Sequence, residues 1–184
     1  MASTVLAIGI TGVFGSLLYA RKMSEGSIFQ NAAISAVQGY IEQMKNMEFN
    51  DLPYITSGGS IMAGSGATST QVPTRASADI TDPLVISTAT TLPALSTIGI
   101  TASTALTGVT DNIKLIDVNS TPNDATDDLR LNLRVWVQDI SNAGASATQV
   151  RSITIQYAWR GGAGSTARIN RSSVRTIRSA VPTY

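Results

Sequence analysis

The sequence predicts an α+β chain: a long N-terminal α-helix, apolar in its first half and amphipathic in its second, packed on an antiparallel β-sheet head. Three observations predict it. The first twenty residues, MASTVLAIGITGVFGSLLYA, carry no charged side chain. From Ser24 to Phe49 apolar residues recur at helical spacing. Two later runs, DLRLNLRVWVQDI and VRSITIQYAWR, alternate apolar and polar residues with the period of a strand.

Residues 1–50 form the helical unit. Its first twenty residues would span roughly 30 Å as a helix, the thickness of a bilayer core. A secretory signal peptide needs a basic stretch before the apolar run, whereas Arg21 and Lys22 follow it. Val5, Leu6, Ile8, Ile10, Val13, Phe14, Leu17 and Leu18 supply large apolar surface. Gly9, Gly12 and Gly15, with Ser16, are small residues that let apolar helices approach closely. Each glycine also weakens the helix by about 1 kcal/mol relative to alanine. Beyond Ser24 the stripe Phe29, Ala33, Ala36, Val37, Tyr40, Ile41, Met44 and Met47 asks for a partner, while Gln30, Asn31, Gln38, Glu42 and Lys45 face water. The helix is expected to run from about residue 2 to about 48, bent near Gly26 and stopped before Pro53. At roughly 70 Å it outreaches any head of this size, so half of it must project.

Residues 51–184 form the head. Its region 54–126 is rich in Ser, Thr, Gly and Ala and reads as a long surface excursion. The first part, TSGGSIMAGSGATST, has the composition of a disordered stretch. Short edge strands are expected at Leu84–Ser87 and Ile98–Thr101. The two alternating runs form an antiparallel meander, with SNAGASAT as the turn between them and GGAGS after the second. On this reading Leu129, Leu131, Leu133, Val135 and Val137 face the core. Arg130, Asn132, Arg134, Trp136 and Gln138 face outward, which places Trp136 either against a neighbouring subunit or as a lone exposed aromatic. The segment TARINRSSVRTIRSAV is the third strand, and in a strand Arg168, Arg171, Arg175 and Arg178 do not share one face.

Composition excludes much chemistry. The 184 residues contain no Cys and no His, which removes disulfides, thiolate nucleophiles, Cys/His metal sites and His-based triads. A net charge of +1 gives no general attraction to nucleic acid. Charged residues make up 14% and mean hydropathy is +0.13, a surface suited to close packing of subunits. No nucleophile elbow or phosphate loop is present, and no catalytic residue or cofactor is expected. In NSTPNDATDD, the carboxylates Asp124, Asp127 and Asp128 form a weak calcium candidate whose spacing matches no EF-hand order; turn chemistry explains the same residues.

The layout resembles the type IV pilins and pseudopilins, in particular the minor-pilin and type II secretion pseudopilin branch. The likeness is carried by AAISAVQGYIEQMKNMEFNDL at residues 32–52, by the apolar segment before it, and by ITIQYAWR followed by SSVRTIRSAV. It implies a structural subunit of a helical filament. Such a subunit is held in the inner membrane before assembly and then packed through its N-terminal helix against copies of itself, at the cell surface or in the periplasm. It further implies an assembly platform, a cytoplasmic ATPase, and a segment Gly9–Ser16 that loses helical structure in the filament. The chain departs from the family at the fifth position, where Val5 stands for the usual Glu, and no acid precedes Glu25. The likeness therefore implies either that Met1 is an internal residue of the precursor or that this is an atypical or tip subunit. The alternatives are a membrane-anchored periplasmic component that does not polymerise, and a soluble Ser/Thr-rich surface protein.

Overall fold

The computed structural model describes residues 2–56, 60–62, 71–72, 83–121, 128–141, 149–161 and 168–180, with side chains from residue 9 onward in the helix and that of Gln71 excepted. Among the described residues, one α-helix, α1 (Ala2–Asn46), precedes eight strands: β1 (Tyr54–Ile55), β2 (Ile61–Met62), β3 (Gln71–Val72), β4 (Leu84–Val85), β5 (Asn112–Ile116), β6 (Leu129–Asp139), β7 (Val150–Arg160) and β8 (Ile169–Ser179). The α+β class is as expected. The helix runs unbroken through Gly26.

The main sheet has the order β2-β1-β6-β7-β8, with β5 also beside β6. Its centre is the expected meander: β6, β7 and β8 are eleven residues each and pair antiparallel. The sheet as a whole is mixed, which corrects the purely antiparallel expectation. β1 lies parallel to β6 through Ile55 and Gln138, and Ile86 makes a second parallel bridge to Val135. Three segments thus share one edge of β6. β5 takes its first half, from Leu129 to Leu133, then the Ile86 bridge and β1 take the rest. Asn112 ties two of them together. Its Oδ1 accepts from the Val85 N–H at 2.7 Å, and its Nδ2 donates to Val85 O at 3.0 Å and Leu133 O at 3.1 Å, replacing backbone pairing with a side chain.

The core lies between α1 and one face of β6 and β7. Ala33, Val37, Ile41 and Met44 bury the helical stripe against Leu131, Leu133, Val135, Val137, Ile153, Ile155, Tyr157 and Trp159. Phe29, Ala36, Tyr40 and Met47 pack around its margin.

The opposite face of β6 corrects the sequence reading. Asn132, Arg134 and Trp136 are buried rather than solvated. Residues 88–111 fold over them, and the polar side chains hold that cover. Gln156 Nε2 donates to Pro93 O at 2.9 Å, Asn132 Nδ2 to Gly99 O at 2.8 Å, and Arg134 Nη1 to Thr97 Oγ1 at 2.9 Å. Polar alternation served loop carbonyls, not water.

Of the two short strands expected in the excursion, Leu84–Val85 forms and Ile98–Thr101 does not. The chain there follows a 3-10 turn at Leu95–Thr97, and Ile98 is buried with its carbonyl accepting from Arg171 Nε at 2.7 Å. The stretch read as disordered contributes β1's neighbour β2, paired through Ile55 and Ile61; residues 57–59 and 63–70 lie outside the described residues.

Candidate functional site

The first half of α1 stands clear of the head. Ile10, Val13, Phe14, Leu17, Leu18, Tyr19, Met23 and Ile28 are between 48% and 68% exposed, whereas Ala33, on the same helix, is fully buried. The side chains of Val5, Leu6 and Ile8, expected to join this surface, lie outside the described residues. A run of exposed large apolar residues on one element marks an interaction surface rather than a scatter of tolerated ones. Covering what remains exposed on each Leu, Ile, Val or Phe contributes about 1–2 kcal/mol.

A β-carbon added at Gly9, Gly12 or Gly15 would meet nothing within 4 Å. Among the described residues the fold of a single chain therefore gives these three glycines no packing role, although each costs helix stability. Ser16 Oγ donates to Gly12 O at 2.9 Å, so the hydroxyl is satisfied within the helix and presents no demand for water. Arg21 and Glu25 form an exposed i,i+4 pair at 2.9 Å where the apolar run ends.

The direction in which this helix projects is set at its other end. No glycine follows the last helical residue, and Asn46 is followed by Met47 and Glu48. Instead, two arginines from the sheet take up the freed carbonyls. Arg178 Nη1 donates to Met44 O at 2.9 Å and its Nη2 to Met47 O. Arg151 Nη1 donates to Leu52 O at 2.7 Å and also to Phe49 O. The Arg151 guanidinium lies between two rings, 4.1 Å from the Phe49 centroid and 4.1 Å from that of Tyr54. Arg178 stands 5.7 Å from Phe49.

Arg151 and Arg178 are directly opposite each other across β7 and β8. Like charges so placed repel. Here the carbonyls of the helix end and the ring faces offset that repulsion, and the positive pair sits at the negative end of the helix dipole. Burial lowers the pKa of both guanidiniums from the ordinary value; for Arg151, Tyr54 and Asp139 pull upward and Arg178 adds to the lowering. Both remain cations. The sequence reading singled out Arg178 but not this use, and it did not single out Arg151. Arg171 and Arg175 do share a face, and Arg178 turns to the other.

A second polar centre lies under residues 88–111. Arg134 Nε and Asp111 Oδ1 are 2.6 Å apart, with side chains 0% and 1% exposed. Asp111 also accepts from Asn132 Nδ2 at 2.9 Å and from the Ser103 N–H at 2.8 Å. Burial acts to raise the Asp111 pKa, but hydrogen bonds from Arg134, Ser103 and Asn132 together with the Arg134 charge hold it below the ordinary 3.8. All three guanidinium nitrogens of Arg134 hydrogen-bond to Asp111 or Thr97, so the pair serves the fold.

Of the calcium candidates, Asp128 precedes β6, and Asp124 and Asp127 lie outside the described residues. Among the described residues, no three His, Cys, Asp or Glu side chains come together as a metal site. Among the same residues no helix is long and apolar enough to cross a membrane; the first eight side chains of the apolar segment are not among them. No protein-family model matches the chain, and no curated protein or solved structure matches it.

Proposed function

We propose that the chain is a structural subunit of a helical extracellular filament of the type IV pilus or pseudopilus kind. The first half of α1 forms the filament core and the head rides outside. One observation carries this reading: α1 buries its second half on its own sheet while its first half leaves a continuous apolar surface uncovered. Identical subunits related by a rotation that does not close produce a helix, and each new subunit covers the surface of the last. Glycines with no role inside the single chain fit the close approach of neighbouring helices. Before assembly the same segment would rest in the inner membrane, and assembly would draw on a platform and an ATPase outside this chain.

A second reading has the same support up to the last step: a membrane-anchored periplasmic component, such as an adhesin or secretion-system tip protein, that does not polymerise. Negative-stain microscopy of cells expressing the chain separates the two. Ordered fibres labelled by an antibody to the head support the first reading; only detergent-extracted monomers would end it. Phe14→Asp is expected to abolish fibres while leaving the head's fluorescence and circular dichroism unchanged, because Phe14 touches none of the core.

A further inference from the structure

β8 is an edge strand. It pairs with β7 along all eleven of its residues, and among the described residues no segment pairs with its other side. It contains no proline, and its register with β7 runs unbroken from Ile169 to Ser179. Natural edges are blunted by bulges, prolines or charges that lie across the open side. In β8 each arginine is anchored over a face of the sheet rather than across the open side. Arg171 Nε donates to Ile98 O at 2.7 Å, Arg175 Nε to Ser152 Oγ at 2.7 Å, and Arg178 turns to the helix end. The backbone edge is left bordered by Asn, Ser, Thr, Val and Ile.

We infer that β8 accepts an extended acidic peptide segment from another protein as an added antiparallel strand. Main-chain hydrogen bonds supply the attachment and side chains supply the choice. Arg171, Ser173, Arg175 and Ile177 alternate on one face, all exposed, with Ile177 at 61%. Both arginines use Nε to stay on the sheet, and no carboxylate pairs with either among the described residues. They stand roughly 13 Å apart along the strand. An incoming strand with acids four positions apart meets both, a small residue between them meets Ser173, and an apolar residue meets Ile177.

Charge disfavours two registers of a second copy of β8. Antiparallel pairing centred on Ser173 sets Arg171 opposite Arg175, and pairing centred on Arg175 sets that residue opposite itself. Like charges directly opposite are destabilising. The preference for an acidic partner is therefore a matter of charge, and it stands whether or not the helices polymerise.

The test uses the full chain dispersed in detergent micelles and the end-blocked synthetic peptide TVTETTTET, titrated by fluorescence anisotropy at low salt. Two exposed ion pairs predict binding about tenfold tighter than that of the lysine counterpart TVTKTTTKT, with the difference shrinking as salt rises. N-methylation at alternate peptide positions is expected to abolish binding, because it removes the donors that join the edge. The double variant Arg171→Glu, Arg175→Glu is expected to reverse the preference between the two peptides. Equal binding of both peptides, retention of binding by the N-methylated peptide, or the absence of saturable binding at millimolar peptide would each overturn the inference. So would dimerisation of the dispersed chain through β8.

Discussion

Asp111→Asn tests how the polar centre under residues 88–111 is held. The wild-type carboxylate accepts from Arg134 Nε at 2.6 Å and Nη2 at 3.3 Å, from Asn132 at 2.9 Å and from Ser103 at 2.8 Å. The amide keeps the shape but leaves the fully buried Arg134 cation without a counter-charge. Breaking one side of such a pair costs about 3–5 kcal/mol. Arg134→Met alone is expected to cost a similar amount, because Asp111 is then the unpaired charge. The double variant should recover most of the loss, since removing both charges removes both desolvation costs. Urea unfolding followed by the emission of Trp136 and Trp159, both buried, reads the three values.

Acid adds an independent check. The folded pKa of Asp111 lies below its unfolded value near 3.8, so its contribution is complete above that pH and is lost as pH falls through the folded pKa. Below about pH 4 the wild type is therefore expected to lose stability more steeply than Asp111→Asn. A cost under about 1 kcal/mol for the single variant, or identical acid slopes for the two proteins, would refute the assignment of Arg134's counter-charge to Asp111.

Three further outcomes are expected. Arg178→Ala removes two charge-assisted bonds to Met44 O and Met47 O and should cost about 2–3 kcal/mol in the same assay, with Arg178→Lys recovering only part because it lacks the fork. Gly108 has φ +73°, and an added β-carbon would lie 2.9 Å from Thr88 Oγ1 and 3.0 Å from the Ala89 nitrogen; Gly108→Ala should lower stability by about 1–3 kcal/mol. A β-carbon at Gly12 meets nothing within 4 Å, so on the filament proposal Gly12→Leu should leave the urea unfolding of the head unchanged in the dispersed chain while fibre formation fails.

The features legible in the sequence were those whose period is local. The helical stripe from Phe29 to Met47 and the alternation in β6 and β7 each announce one buried face, and the structure uses both as expected. The second buried face of β6 was hidden because Asn132 and Arg134 look like residues for water. Trp136 beside them was the contrary sign, since a large aromatic on that face calls for a cover. Nothing local could reveal the parallel contact between Ile55 and Gln138, because β1 has two residues and shows no period. The arginine clasp was equally silent, except that a helix ending without glycine leaves its last carbonyls seeking donors elsewhere. The apolar run that ends at Leu18 was legible because no charge interrupts the first twenty residues, and Ile10, Val13, Phe14, Leu17 and Leu18 are exposed in the structure.

The clasp also imposes a timetable on biogenesis. Met47 leaves the ribosome 131 residues before the Arg178 that must hold its carbonyl. At about 5–20 residues per second, that interval is on the order of ten seconds. Until β6 and β7 emerge, late in that interval, Ala33, Val37, Ile41 and Met44 have no long strands beside them. A nascent chain in that condition presents two greasy lengths of one rod, and among the described residues only the later one is sheathed by its own sequence. On the filament proposal, handling of the newborn chain would have to tell them apart: shelter for the second until translation nears its close, and lasting custody for the first.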